Sequence, residues 1–582
     1  MAGGSHVVTT YFFSLEDFEN EFQSTGPSTD QGAHLSLGPT IGAWHNETSQ
    51  LANELYLQLV EDSRILLTSE AMGVPTFRQA EILIGSLALK LSRRLARSKK
   101  QIRTLKGHRP SPFSRLPASI ALSLKGAANT SESYELLISR EFSDLVDSIA
   151  VYQFFGINTS TSVILRHPSQ AAGSQSDVLG SFDKISPRRR FMKTLFLSAQ
   201  KLLARSASRS SISIVGSYLG RSAEIVLSAL LGQPPSLLEV RPPVPARKTP
   251  NEDKLFDLQE YGSDRKISMF LMKLLLPLSL SEGFDSTLSR AYSLGFPRDP
   301  SVIFTSNSYH SDDEFKAHLA NAIPRATYVL GQHGHTYGVS RKSELCPEQN
   351  TADFFLSWGW EGDGVIPFGQ IKPRIRGKPR ARPRYITLFL RHDSPHYFLQ
   401  ADMHGPNTHY FASVEQLCKE LNSLCIKTVL ILHASTSNIR RQFFESIASN
   451  MEFIEISRTK PTIKKLMSSG SAIVFTYDST GMLEMGASGL PFFCFAPDGI
   501  ELVKEEFLVN YEALERAGLL CRNPEECAQL ISEWITAAPS LAASQLKEIE
   551  SFTRGIAFYP RNKIWTLMKL LRGLKTKNLF GA

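Results

Sequence analysis

No cysteine occurs before residue 346, and the six at 346, 418, 425, 494, 521 and 527 form no CxxC pair. Such spacings build neither a disulfide framework nor a structural metal site, so reduced thiols are expected. No stretch approaches the roughly 20 uncharged apolar residues of a membrane-spanning helix. The opening "MAGGSHVVTTYFFSLEDF" has no basic lead and no long apolar core, and so does not read as a secretory leader. Together these absences point to a cytoplasmic chain, soluble or peripheral to a membrane.

At 582 residues the chain is too long for one core, and its size suggests two to four domains. Hydrophobic residues make up 42% and charged residues 21%, as in ordinary globular proteins. The net charge of +8 suits phosphorylated ligands or an anionic surface, and equally a plain solvated exterior.

Residues 1–30 read as an extension. From "HLSLGPTIGAW" (34–44) onward, strand-like runs alternate with amphipathic stretches such as "TFRQAEILIGSLALKLSRRLARS" (76–98), which predicts an α/β domain over 31–370. Two patches rich in Ser and basic residues, 99–116 and 168–190, read as loops or insertions. Order is clearest at "SVIFT" (301–305), where a strand passes through a Ser/Asn turn into an acid-headed helix. Next, Tyr328–Leu330 form an apolar strand that stops at Gly331 and opens the segment "GQHGHTYG".

Residues 371–384, "IKPRIRGKPRARPR", read as a charged interdomain linker. They contain no aromatic side chain on which a base could stack, which argues against a nucleic-acid partner. Five strands follow in a domain over 385–540: "RYITLFL" (384–390), "KTVLILH" (427–433), "EFIEIS" (452–457), "SAIVFTY" (471–477) and "PFFCFA" (491–496). Helical patterns between them imply parallel pairing. The predicted fold is α/β, with two Rossmann-type doubly wound domains facing across a cleft. Ligands of such sheets bind at the strands' C-terminal edges.

At that edge of the second domain, "AIVFTYDSTGMLEMGASGLPFF" (472–493) runs from a strand through Asp478, Ser479 and Thr480 into a helix. Unpaired N–H groups at a helix start, with the two hydroxyls, suit a phosphate or diphosphate; helix capping explains the same residues. Glu484 lies one turn further, where its carboxylate would receive two ribose hydroxyls. Arg391 and His433 follow two other strands of this domain; Arg391 would neutralise a donor phosphate or form a surface ion pair. In "GQHGHTYG" the glycine-flanked His333 is a candidate general base, with Gly334 and Gly338 expected to let a substrate approach the backbone.

These motifs carry a resemblance. "STGMLEMGASGLPFF" resembles the donor-nucleotide segment of GT-B glycosyltransferases. The ordered set "VIFTSNSYHSDDEFKAHLA", "GQHGHTYG", "FFLSWGW" and "TYDSTGMLE" is similar to a family of sugar transferases encoded among bacterial surface-polysaccharide and nonulosonic-acid genes. The similarity is good over residues 285–520 and weak over the first 280. It implies a GT-B-like enzyme that moves a sugar from a CMP-, UDP- or GDP-linked donor to a surface-polysaccharide, lipopolysaccharide or lipid-linked acceptor. No cofactor is expected, and no metal is needed, since the helix dipole and basic side chains can neutralise the leaving phosphate. The resemblance also implies that His333 is catalytic and that Gln332, His335, Tyr337, Trp358 and Trp360 contact the acceptor, with His335 standing where many relatives have a small residue. Asp478, Ser479, Thr480, Glu484, Arg391 and His433 would hold the donor. His333 also looks like the loop histidine of CDP-glycerol glycerophosphotransferases, which leaves a phosphotransferase of polyols open; a non-catalytic carbohydrate-binding protein is the third reading. Finally, the segment 541–582 reads as helical. Its part "RNKIWTLMKLLRGLKTKNLF" has basic residues, no acid, and an apolar stripe at Ile564, Leu567, Met568 and Leu571, suited to an anionic membrane or to packing on the first domain.

Overall fold

A computed structural model of the chain describes residues 10–13, 41–106, 135–139, 162–166, 206–235, 255–257, 272, 276–281, 283–310, 312–335, 337–375, 383–391, 408–433, 436, 438–457, 461–497, 500, 502–537 and 543–580. The chain divides into two compact units, one of Met1–Arg205, Arg241–Gly295 and Ser311–Asn321, the other of Ser206–Val240, Phe296–His310 and Ala322–Ala582. Residues expected as a single domain over 31–370 are thus shared between both.

In the first unit, helices Ile41–Ser63 and Phe77–Lys106 pack on each other. Tyr56, Leu59 and Val60 of one and Ile82, Leu83 and Ile84 of the other are buried, and Tyr56 donates a 2.6 Å hydrogen bond to Glu81. The strand expected within 34–44 is therefore corrected for residues 41–44, which are helical; 34–40 lie outside the described residues. Buried side chains one turn apart at Tyr56 and Val60 show the helical period that an isolated apolar run around a Gly-Pro had obscured. A four-stranded sheet of Thr10–Phe13, Glu135–Ser139, Ser162–Arg166 and Leu255–Asp257 also belongs here, parallel except for its last pair.

The second unit holds two parallel sheets. The first joins β1 (Ile212–Val215), β2 (Val302–Thr305), β3 (Thr327–Gly331), β4 (Phe354–Ser357) and β5 (Val365–Pro367) in sequence order. β1 and β2 are buried throughout, as strands covered on both faces must be. The second contains β6 (Tyr385–Phe389), β7 (Thr428–Ile431), β8 (Ile454–Ile456), β9 (Ser471–Phe475), β10 (Phe493–Phe495) and β11 (Leu520–Cys521) in the order β8-β7-β6-β9-β10-β11. All five pairs are parallel. This is the doubly wound Rossmann order, in which the chain reverses direction between β6 and β9 and opens a crevice at their C-terminal ends. The two expected parallel sheets are present, the second in the doubly wound order and the first in sequence order among the described residues, and the five strands expected after residue 384 are β6 to β10.

The C-terminal helix Lys563–Phe580 returns to the first sheet. Leu567, Met568, Leu571 and Leu574 are buried in one core with Ile212, Ile214, Phe304 and Val329. The apolar stripe is thus covered by protein, which is the packing alternative; Arg561, Trp565, Lys569 and Arg572 face outward. The expected linker is also tied down at its start. Ile371 is fully buried, its carbonyl accepts from Lys563 Nζ at 2.8 Å, and Arg374 donates to the Ser488 carbonyl at 3.0 Å. Residues 376–382 lie outside the described residues.

Candidate functional site

The C-terminal edge of the first sheet gathers the chemistry. β1 ends in a turn where Gly216 (φ 53°), Tyr218 (φ 61°) and Gly220 (φ 84°) are all left-handed. Tyr218 is one of two non-glycine residues so placed among the described residues, and its ring faces that of His333 edge-on at 6.2 Å. β2 ends in a turn closed by Thr305 Oγ1, which accepts from the N–H groups of Asn307 (3.3 Å) and Ser308 (3.1 Å), and this turn delivers His310. β3 ends at Gly331, where a Cβ would lie 2.3 Å from the Ile371 side chain and 2.5 Å from Ser306 Oγ, so a larger residue before the His333 loop would have to displace them. Glu348 comes from the short helix Pro347–Asn350, whose first residue is a proline preset for a helix start.

His310, His333 and Glu348 meet. Glu348 is fully buried, its Oε2 is 3.0 Å from His310 Nε2, and its Oε1 is 3.7 Å from His333 Nδ1. Tyr337 Oη lies 3.2 Å from His333 Nε2. Both Glu348 oxygens and His333 Nδ1 are buried, and the carboxylate is met by the His310, His333 and Tyr337 side chains. Burial pulls the His333 imidazole down to about 4, against the opposing pull of Glu348, so the ring is neutral at neutral pH. For Glu348, burial pushes upward, but His310 and His333 outweigh it and hold the carboxyl down at about 2. Burial, reinforced by Glu348, raises the Tyr337 phenol well above its usual value. The result is a neutral imidazole beside an ionised, water-poor carboxylate. Such a pair accepts a proton and stabilises the imidazolium that forms. The same three groups make a His2Glu set of the kind that holds a divalent cation.

His335 does different work from His333. It is 2% exposed, and its Nε2 lies 2.7 Å from Tyr511 Oη and 3.0 Å from Asp478 Oδ1. Tyr511 Oη in turn donates to both Asp478 oxygens at 3.0 Å. The His335 backbone N–H donates to Thr480 Oγ1 at 3.2 Å. The loop after β3 is therefore fastened to the segment after β9, and Asp478 and Thr480 are partners of that fastening.

The helix Thr480–Ala487 starts where the sequence placed it. Ser479 is its N-cap and accepts from the Met482 N–H at 3.4 Å, the capping function weighed above. Glu484 is not open to solvent alone: its Oε1 pairs with Lys372 Nζ at 2.8 Å, and Lys372 lies 4.9 Å above the Tyr218 ring. Arg391, two residues beyond β6, is 5% exposed with its guanidinium 4.0 Å over the Tyr410 ring, so it stacks in the interior and not on the surface. The rest of the "RHDSPH" loop, 392–396, lies outside the described residues. His433 sits two residues beyond β7, half-buried at the same edge.

The residues expected at the acceptor are largely interior. Gln332 is 1% exposed, and its Oε1 accepts from the Trp358 N–H (2.8 Å) and from Trp360 Nε1 (2.9 Å). Its Nε2 donates to the Gly334 carbonyl at 2.7 Å, and its own carbonyl accepts from Trp358 Nε1 at 2.8 Å. One amide thus joins the two motifs. Trp358, Trp360 and Tyr337 are 0%, 6% and 7% exposed. Gly338 (φ 74°) corrects a second expectation: a Cβ there would lie 2.2 Å from the Trp360 indole, so protein already fills the space meant for a substrate. Over Gly334 the nearest atoms to such a Cβ are Tyr337 at 3.5 Å and Thr480 at 3.9 Å.

His310 and Glu348 are the residues the motifs did not single out. His310 stands inside "SYHSDDE" and Glu348 in "CPEQN", and only the parallel strands β2, β3 and β4 bring the loops between them together. A carboxylate directly after a helix-starting proline, beside a strand-end histidine loop, was the available signal.

Among solved structures, the S. aureus MnaA–UDP co-structure is 13% identical, covering 62% of this chain and 97% of its own, with a TM-score of 0.36. The UDP-GlcNAc 2-epimerase from Neisseria meningitidis bound to UDP-GlcNAc is 11% identical, covering 62% and 99%, with a TM-score of 0.34. The O-GlcNAc transferase of Thermobaculum terrenum is 11% identical, covering 92% and 99%, with a TM-score of 0.31. Likenesses at this level add nothing to the sheet topology. No curated protein matches the sequence. The model of one family does match, over residues 152–540 and so over more than half of the chain, and the protein belongs to it: the LIC12162 family of transferases.

Proposed function

We propose that the protein is a glycosyltransferase that moves a sugar from a nucleotide-sugar donor to a hydroxyl of a surface-polysaccharide or lipid-linked acceptor, in the cytoplasm. The observation that carries this reading is the fastening of the His333 loop to the helix at Thr480. Through His335 N–H to Thr480 Oγ1 (3.2 Å), it sets a proton-accepting cluster beside a helix N-terminus suited to phosphate. His333 takes the proton of the acceptor hydroxyl, and Glu348 stabilises the resulting imidazolium. The N–H groups at the start of Thr480–Ala487 and the Arg391 guanidinium receive the charge of the departing nucleotide. Glu484 meets the ribose, and Lys372 is its partner until the donor arrives. His433 lines the donor side. Gln332, Trp358 and Trp360 hold the loop in shape, which leaves His310, Tyr218 and Gly334 as the surface offered to the acceptor. Any contact with an anionic membrane rests on Arg561, just before the C-terminal helix, and on Trp565, Lys569 and Arg572 on that helix's exposed side.

The reading is tested by isothermal calorimetry of the full chain against CMP-, UDP-, GDP- and CDP-linked compounds. One nucleotide class is expected to bind at 1:1 and to lose affinity in Glu484→Ala. Absence of binding by every class would overturn the proposal.

A further inference from the structure

The feature of the cluster that stands out is Glu348. A carboxylate with no exposed surface stays ionised only through what surrounds it, and here that is His310, His333 and Tyr337. Its nearest neighbours are two imidazole nitrogens at 3.0 and 3.7 Å, and one of these, His333 Nδ1, is likewise buried. Three ligand-grade atoms, one from each residue, lie within 4.8 Å of one another. With metal–ligand bonds of about 2.0–2.1 Å, tetrahedral ligands stand about 3.3 Å apart, so contraction by about 1.5 Å at most completes the set.

We infer that His310 Nε2, His333 Nδ1 and the Glu348 carboxylate form a binding site for a zinc-class divalent cation, whose occupancy silences His333 as a proton acceptor. Two imidazoles and one carboxylate favour such a transition-metal ion over magnesium or calcium, which take oxygen ligands. The second shell is in place, because Tyr337 Oη, 3.2 Å from His333 Nε2, orients the ring with Nδ1 toward Glu348. An entry path exists as well, since the His310 side chain is 37% exposed. A neutral imidazole has one nitrogen lone pair, and a cation on Nδ1 takes it while the ring's proton sits on Nε2, so cation binding and proton transfer exclude each other. Cation binding by the cluster does not depend on the glycosyl-transfer reading; only the silencing does.

The test is calorimetric titration of the chelator-treated full chain with Zn2+ alone. One ion per chain is expected, with affinity lowered at least about tenfold in His310→Ala and in Glu348→Gln, and by about 10–100-fold in Tyr337→Phe. His310→Ala removes a partly exposed side chain and so reports on the ligand set without opening the core. Thermal midpoints of each variant serve as the folding control. Failure to bind stoichiometrically, or affinity unchanged in both His310→Ala and Glu348→Gln, would overturn the site. A parallel arm measures transfer with and without stoichiometric Zn2+. Inhibition supports the exclusion; binding followed by stimulation keeps the site but overturns the silencing and the base role of His333.

Discussion

Substituting Gln332 by alanine separates a scaffold from an acceptor contact. The amide side chain is 1% exposed and makes three hydrogen bonds, accepting from the Trp358 N–H and Trp360 Nε1 and donating to the Gly334 carbonyl. Alanine leaves two buried N–H donors unpaired, at about 1–3 kcal/mol each, so a loss of about 2–6 kcal/mol is expected before any cavity is counted. Trp360→Phe removes one of those donors while the Gln332 oxygen keeps Trp358, and is expected to cost only about 1 kcal/mol in hydrogen bonding. Urea unfolding of both variants, followed by far-UV circular dichroism, reads the difference as a shift in midpoint at constant slope. If Gln332→Ala unfolds within about 1 kcal/mol of the wild type while acceptor affinity collapses, the scaffold reasoning is wrong and Gln332 is a ligand contact.

Glu484→Ala is expected to weaken nucleotide-sugar binding by about 1–3 kcal/mol in calorimetry. Its ion pair with Lys372 is partly exposed, so thermal stability should change by no more than about 1 kcal/mol. Leu571→Ala removes a fully buried side chain from the core shared by the C-terminal helix and the first sheet, and should cost about 2–5 kcal/mol in unfolding experiments. Deleting 561–582 should therefore destabilise the protein; a folded, stable truncation that merely stops sedimenting with anionic liposomes would show that the helix is a membrane element instead.

Much of the second sheet was legible because β6, β7, β9 and β10 are short, nearly continuous apolar runs bounded by turns, as buried parallel strands are, while the edge strand β8 alternates Ile-Glu-Ile. β11 has only two residues, Leu520 and Cys521, too few to leave a pattern. The helix Ile41–Ser63 was misread at its start because "GPTIGAW" offers a strand's composition, while the helical period emerges only further along, at Tyr56 and Val60. In the site, the sequence located the strand-end loop and the capped helix, since both are local signals. It set His333 apart from His335 but could not show that His335 pairs with Tyr511 and Asp478, nor find Glu348 and His310. Those assignments depend on which loops three parallel strands bring together, and on Trp360 occupying the space over Gly338.

The most direct test of transfer at this cleft is a product assay by mass spectrometry, with the donor that calorimetry identifies and a hydroxyl-bearing glycan acceptor, comparing wild type with His333→Ala. The account predicts an acceptor heavier by one sugar and carrying no added phosphate. It also predicts turnover in His333→Ala lower by about 10²–10⁴-fold at nearly unchanged donor affinity. A product that has gained phosphate, or a His333→Ala protein that turns over at the wild-type rate, would contradict it.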